Sequence, residues 1–329
     1  MTPLFDIFKP KPTYRNLVFK GGGIRGIAYI GALEVLEEKN MLPNIQRVAG
    51  TSAGAITAML VSLRIPVNQV LERFASLDFT KIPQSSTRER KRFLQLASEE
   101  ENLERLFKSY GWYSSKYFYN WLQEVVAAYC DGNPNATFLE FKQRGFRDLY
   151  IVASNVSRYR GEVFSAKQTP DVAVADAVRM SMSIPLYFEA LRFDGKHFGQ
   201  GDYYVDGGLF NNYPIQLFDQ PPFYHPRPNA NLKGNPETLG FFLIPDQEGS
   251  VNEDKPEPRN IWDFLELVIG NFYVAHQVMP YENSTVDQNR SIAINDCGIR
   301  STDFSIKKDD EKYQLLKEAG EQAARAFLN

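Results

Sequence analysis

Asn16–Glu38 reads NLVFKGGGIRGIAYIGALEVLEE and Ile45–Leu63 reads IQRVAGTSAGAITAMLVSL, and these two stretches decide the fold class. In the first, Asn16–Lys20 is a short strand and Gly21–Gly26 is a turn too rich in glycine for anything else. Ile24–Glu38 then takes helical spacing, with Ile27, Ile30, Leu33 and Leu36 as candidate buried positions. In the second, Ile45–Ala49 is a strand, Gly50–Gly54 a tight turn and Ala55–Leu63 a helix of small and apolar residues. Two successive strand–turn–helix units of this length predict a parallel sheet covered by helices. The expected fold is α/β: a three-layer α/β/α sandwich with a mostly parallel central sheet.

Outward from this start, Pro66–Phe146 carries no clear strand and is read as helical, with a polar interruption near Ser85–Arg92. Asp148–Ala153 and Glu162–Phe164 are the next strands, and Val172–Met182 is a helix expected to be capped by Asp171. Tyr203–Asp206 is a short strand running into Gly207 and Gly208, followed by a proline-rich loop, Gln220–Pro228, and the strand Leu239–Ile244. A polar linker, Pro245–Arg259, precedes a long apolar helix, Ile261–Val278, then the strand Arg290–Asn295 and a helix from Asp309 onward. The organisation expected is an N-terminal extension (1–14), a core (15–218) and a last segment (219–329) completing the same domain. Within the core, 64–110 is a candidate mobile lid because of its length and mixed polarity.

Composition bounds the function. The chain has 329 residues, 43% hydrophobic and 23% charged, with a net charge of -3, so nothing in the whole-chain balance points to nucleic acid. The one basic cluster, Arg88, Arg90, Lys91 and Arg92, is flanked by glutamates and reads as a solvated face, with contact to an anionic membrane as the alternative. The aromatic stretch Tyr110–Trp121 reads as helical core packing rather than as an interfacial belt. Cys130 and Cys297 share no ligand spacing with the three histidines and read as reduced structural thiols. No apolar run of about eighteen residues occurs, since Lys20, Arg25 and five glycines break the stretch Leu17–Leu36. The expectation is a cytoplasmic protein with no metal or organic cofactor, one that would meet a membrane surface transiently only if it works on lipid.

Three turns carry the chemistry. Gly50-Thr51-Ser52-Ala53-Gly54 is G-x-S-x-G between a strand and a helix, the setting in which a strained turn presents a serine hydroxyl at the carboxyl end of a sheet. The glycine run Gly21-Gly22-Gly23-Ile24-Arg25-Gly26 leaves N–H groups uncovered, a nest for an anion: the oxyanion of an acyl intermediate or a nucleotide phosphate. The phosphate-loop pattern is absent, and although Gly21, Gly23 and Gly26 form G-x-G-x-x-G, no carboxylate occurs over Met41–Gln46 to bind a ribose. Asp206-Gly207-Gly208 is either a plain turn or a carboxylate delivered to the sheet's carboxyl end. An aspartate of ordinary pKa, about 3.9, is a weak base for a hydroxyl, so such a pair would lean on the glycine nest.

Taken together, GGGIRG (Gly21–Gly26), GTSAG (Gly50–Gly54) and DGG (Asp206–Gly208) resemble the patatin-like phospholipase family, in that family's order and at comparable separations. SMSIPLYF (Ser181–Phe188) and DGGLFNNYP (Asp206–Pro214) add to the similarity, which covers residues 15–218. The resemblance implies a patatin-like fold and a lipid acyl hydrolase working on phospholipid or lysophospholipid. It further implies a Ser52–Asp206 dyad, with backbone amides around Gly22 and Gly23 as oxyanion hole, Arg25 beside it, and Gly50 and Gly54 shaping the serine turn. Need for a protein activator stays open.

Three alternatives stand beside it. A Ser–acid–His triad could use His276 or His225 on chain order, whereas His197 precedes the aspartate. The same dyad could transfer an acyl group to an acceptor other than water. A phosphate- or nucleotide-binding interaction module would use the glycine turn without covalent chemistry.

Overall fold

A computed structural model describes residues 13–82, 94–225, 234–245, 264, 267–268, 270–272, 274–308 and 310–329. The basic cluster 88–92, residues 1–12 of the extension, 226–228 of the proline-rich loop, most of the 245–259 linker and 261–263 of the apolar helix lie outside the described residues. In chain order the strands are β1 (Asn16–Phe19), β2 (Arg47–Thr51), β3 (Gly111–Tyr113), β4 (Asp148–Asn155), β5 (Arg160–Ser165), β6 (Leu186–Phe188), β7 (Leu191–Phe193), β8 (Asp202–Asp206), β9 (Thr238–Ile244) and β10 (Ser291–Asn295). The helices that matter here are α1 (Ala28–Glu38), α2 (Ala53–Ser62), α3 (Val67–Ser76), α4 (Leu94–Ser109), α5 (Lys116–Tyr129), α6 (Phe138–Gln143), α7 (Val174–Ser181), the single turn α8 (Gly208–Asn211) and a terminal helix, Glu311–Leu328.

One sheet runs β10-β9-β1-β2-β4-β8-β7, with β5 added to β4. The strands from β10 to β4 are parallel, whereas β5, β7 and β8 pair antiparallel. The fold is thus α/β with a mostly parallel, mixed sheet. Period-two alternation divides the core. Leu17, Phe19, Val48, Ile151, Phe241 and Ile292 join a large cluster with α1, α2, α5, α7 and the terminal helix. Val18, Ala49, Tyr150 and Phe242 face the other way, onto Tyr213, Ile215, Phe218, Val278 and Tyr281. Right-handed crossovers explain the split: the chain moves from β1 to β2 to β4 in one direction across the sheet, and from β9 to β10 in the other. Burying each large apolar side chain contributes about 1.5–3 kcal/mol, and Phe19 stacks on Phe241 with centroids 4.6 Å apart.

Several expectations are corrected. The first helix starts as a 3-10 turn, Gly23–Ile27, because Gly23 sits at φ +58 and Ile24 N–H is taken by Ser301 O; α1 proper begins at Ala28. Asp171 does not cap α7. That helix starts at Val174 after Ala173, which bridges Thr137, so Val174 N–H goes to Ala136 O. The 66–146 region does contain a strand: β3 pairs in parallel with β6 as a separate two-stranded sheet. The aromatic stretch is helical core only in its second half: Phe118 and Trp121 on α5 are buried in the core cluster, whereas Tyr110 is exposed and Gly111–Tyr113 form β3. Among the described residues, neither Cys130 nor Cys297 forms a disulfide.

What positions the site is a junction on one edge of β4. Strand β2 pairs with β4 as far as Thr51↔Val152, and β8 pairs with the next residues, beginning at Ala153↔Asp206. Because β5 occupies the opposite edge of β4 along this stretch, β2 and β8 share the near edge and meet head-on. Each ends at the meeting point with its own carboxyl terminus.

Candidate active site

Ser52 follows β2 directly, and α2 starts at the next residue. Its backbone is at φ 55, ψ -123, a left-handed conformation for a residue with a side chain, of the kind that costs about 1–3 kcal/mol. Packing enforces it. A Cβ on Gly50 would lie 2.1 Å from Gly54 O, and one on Gly54 would lie 2.2 Å from Phe19 O, so the chain enters and leaves the turn where only hydrogen fits. Ser52 N–H donates to Ser181 Oγ (2.9 Å), which in turn donates to Val152 O (2.6 Å), tying the elbow to β4 through one buried hydroxyl.

Asp206 ends β8 with 2% of its surface exposed. Its N–H donates to Ser183 O (2.7 Å), and Gly207 N–H donates to Ser181 O (3.1 Å), so the end of α7 and the residues after it brace the end of β8. Carboxylate Oδ1 accepts Gly208 N–H at 2.7 Å. Among the described residues, Oδ2 is buried without a hydrogen-bond partner. Burial pushes the carboxyl up to about 7, and the adjacent Ser52 hydroxyl and Gly208 N–H only partly offset it. The expectation of a base of ordinary acidity is therefore corrected: desolvation, lacking any nearby cation to counter it, makes Asp206 a stronger base than a free aspartate.

The glycine turn closes the arrangement. Gly21 N–H donates to Asn212 O (2.9 Å), Asn212 Nδ2 donates to Gly21 O (3.3 Å), and Thr51 Oγ1 donates to Asn211 O (2.9 Å). The chain after Asp206 thus fastens all three glycine-rich segments together. An added Cβ on Gly21 would fall 3.1 Å from Ser52 Cβ, so turn and serine are in contact. Among the described residues, Gly22 N–H and Gly23 N–H have no acceptor, and they open the 3-10 turn beside the first turn of α2. Arg25 donates through Nε to Gly22 O (3.1 Å) and pairs with Asp296 (2.6 Å). Gly26 supports packing: a Cβ there would lie 3.1 Å from Ala53 Cβ. Gly207 is confined by Val152 O, 2.1 Å from an added Cβ, and Gly208 by Asn212 and Asp206 Oδ1.

Ser52, Asp206 and Gly21–Gly23 are therefore brought together. Histidine is not among them: His197, His225 and His276 are exposed, and none bonds Ser52 or Asp206. An open cavity of about 650 Å³ between β5 and the β7–β8 pair is lined by residues such as Glu162, Phe193 and Tyr204 and does not include the serine. Ser181, Ser183 and Asn212 were not singled out from sequence, although SMSIPLYF and DGGLFNNYP contain them. Two serines two apart at the carboxyl end of a helix are the available signal.

Against known proteins, residues 17–219 match the family described as patatin-like phospholipase. The chain belongs to that family. The YqhO protein of Bacillus subtilis, uncharacterized, is 28% identical over 90% of this chain and 99% of its own length. A probable lipid hydrolase, 463L, of Invertebrate iridescent virus 6 is 24% identical over 64% of this chain; the match spans 64% of the viral protein. The crystal structure of VipD from Legionella pneumophila shares the fold at a TM-score of 0.57 and 17% identity, covering 96% of this chain and 67% of that one. The patatin-like span ends at 219, so β9, β10 and the terminal helix are supplied by sequence outside it.

Proposed function

We propose that this chain is a lipid acyl hydrolase that cleaves carboxylic esters of phospholipid or lysophospholipid through a covalent acyl-enzyme on Ser52. The observation that carries the reading is the junction on β4, where a strained serine and a buried, unpartnered carboxylate oxygen meet beside uncommitted amides. Family membership supports the lipid substrate.

Ser52 Oγ attacks the ester carbonyl carbon as its proton passes to Asp206 Oδ2, the oxygen with no other partner. The carbonyl oxygen becomes an oxyanion facing Gly22 N–H and Gly23 N–H, with the amino end of α2 adding a favourable dipole. Collapse breaks the ester C–O bond, and Asp206 returns the proton to the departing alcohol. Water then attacks the acyl-serine, gives its proton to Asp206, and the second collapse frees the fatty acid and restores the Ser52 hydroxyl. One carboxylate acts as base and acid in turn, which suits a pKa of about 7. Removing one donor from such a hole costs about 10²–10³ in kcat.

The test is labelling with a fluorophosphonate. One equivalent on the wild-type chain, none on Ser52→Ala, and loss of ester hydrolysis in Ser52→Ala are expected. Labelling that survives Ser52→Ala would remove the serine from the chemistry.

A further inference from the structure

The glycine turn is gripped from behind by residues beyond the family-matched span. Ile24 N–H donates to Ser301 O (3.0 Å), Lys20 Nζ donates to Leu243 O (2.8 Å), and a Cβ on Gly22 would lie 2.3 Å from Leu243 Cδ1. The most directed grip runs through Arg25. Its Nη1 lies 2.6 Å from Asp296 Oδ2, with side-chain exposures of 23% and 7%. Its Nε donates to Gly22 O, which also accepts Arg25 N–H at 3.3 Å. Asp296 is itself held, its N–H on Ile244 O (2.9 Å) and its Oδ1 on Gly298 N–H (3.1 Å), so the loop after β10 aims the carboxylate.

A trans peptide is planar, and its C=O and the following N–H point in opposite directions. Holding Gly22 O on the Arg25 side therefore turns Gly23 N–H away from Arg25. We propose that Asp296 is a positioning residue for ester hydrolysis: through Arg25 it locks the Gly22–Gly23 peptide plane so that Gly23 N–H faces the oxygen of the scissile carbonyl. This rests on the hydrolase reading above. It gives the last third of the chain, outside the family-matched residues, a direct hold on rate.

The experiment uses the full chain, a chromogenic short-chain ester and a trifluoromethyl ketone, whose tetrahedral serine adduct carries an oxyanion. Asp296→Asn, folded by circular dichroism, is expected to lower kcat tenfold to a hundredfold with KM within threefold, and to raise the ketone Ki by the factor by which kcat/KM falls. In an Arg25→Ala background the same substitution should change little, because the two residues act as one unit. Should Asp296→Asn not fold, Arg25→Lys carries the test: it keeps a cation for Asp296 but loses the planar fork to Gly22 O, and the same kcat loss is expected. Folded variants with kcat within twofold of wild type, or a Ki that stays put while kcat/KM falls, would overturn the proposal. Wild-type chain without esterase activity would instead overturn the functional reading, and this inference with it.

Discussion

Replacing Asp206 with asparagine separates the base role proposed for this carboxylate from what it does to stability. The group is buried and its pKa is raised from 3.8 to about 7. Below pH 3.8 both folded and unfolded chains hold the proton, and the site carries no penalty. Between pH 3.8 and 7 the unfolded chain gives the proton up while the folded chain keeps it, so stability contributed by the protonated group is lost as pH rises. Above 7 the penalty is constant. At about 1.36 kcal/mol per pKa unit it amounts to roughly 4 kcal/mol. Asparagine keeps the shape and never ionises. Any fixed cost of its amide cancels when the two proteins are compared across pH, so Asp206→Asn should gain on wild type by up to that amount between pH 4 and pH 8. With an unfolding entropy near 2.1 cal/mol/K per residue, that gain is a rise of about 6 °C in the melting difference. The assay is thermal unfolding of both proteins in matched buffers at half-unit steps, alongside esterase activity, which the variant should lack throughout. A melting difference that stays flat from pH 4 to pH 8 would refute the argument, because it would mean that the folded site does not resist ionisation.

The wild-type enzyme should show kcat/KM rising about tenfold per pH unit below 7 and levelling above it; a plateau extending down to pH 5 would contradict a raised base. Ser181→Ala removes the hydroxyl that joins Ser52 N–H to Val152 O, and leaving both groups unpaired should cost about 1–3 kcal/mol, measured by urea unfolding, with a fall in kcat larger than any change in KM. Arg147 is buried and donates to the carbonyls of Ile45, Val61 and Leu42. Arg147→Ala should therefore destabilise by about 3 kcal/mol or more, a loss that calorimetry would detect and that near wild-type melting would exclude.

Much of this was legible because the informative signals are local. Glycine at 50 and 54 reports a close backbone approach, and a strand before with a helix after tells which way the serine points. The order of β1, β2 and the first helices follows from the same punctuation. What was illegible depends on pairing between distant segments. β3, β6 and β7 are three residues each, too short for alternation to show, and exist because partners are at hand. That β8 approaches β4 from the opposite direction to β2 cannot be read from DYYVD, which is compatible with either orientation. The expectation of an Asp206 of ordinary acidity failed for a related reason: pKa follows burial, and burial is a property of the assembled junction.

In the proposed mechanism, the antiparallel approach of β8 is what gives the site its chemistry. Had β8 joined the sheet in parallel, Asp206 would stand at the far end of β4 rather than against the end of β2. Coming head-on along the edge already occupied by β2, it delivers Asp206 into the gap where β2 stops, under the chain that continues through Gly207 to Asn212. That covering chain excludes water from the carboxylate and also fastens Gly21 and Thr51. Removal of water raises the base, and the same fastening holds the amides near the serine. The desolvated acid and the placement of the glycine turn are therefore maintained by one set of hydrogen bonds. Loosening that chain, as Asn212→Ala would, should relax both at once: the pH at half-maximal kcat/KM should fall toward that of an ordinary aspartate while the maximum itself drops. An unchanged midpoint with a lowered maximum would show that the covering chain orients the glycine turn without dehydrating Asp206.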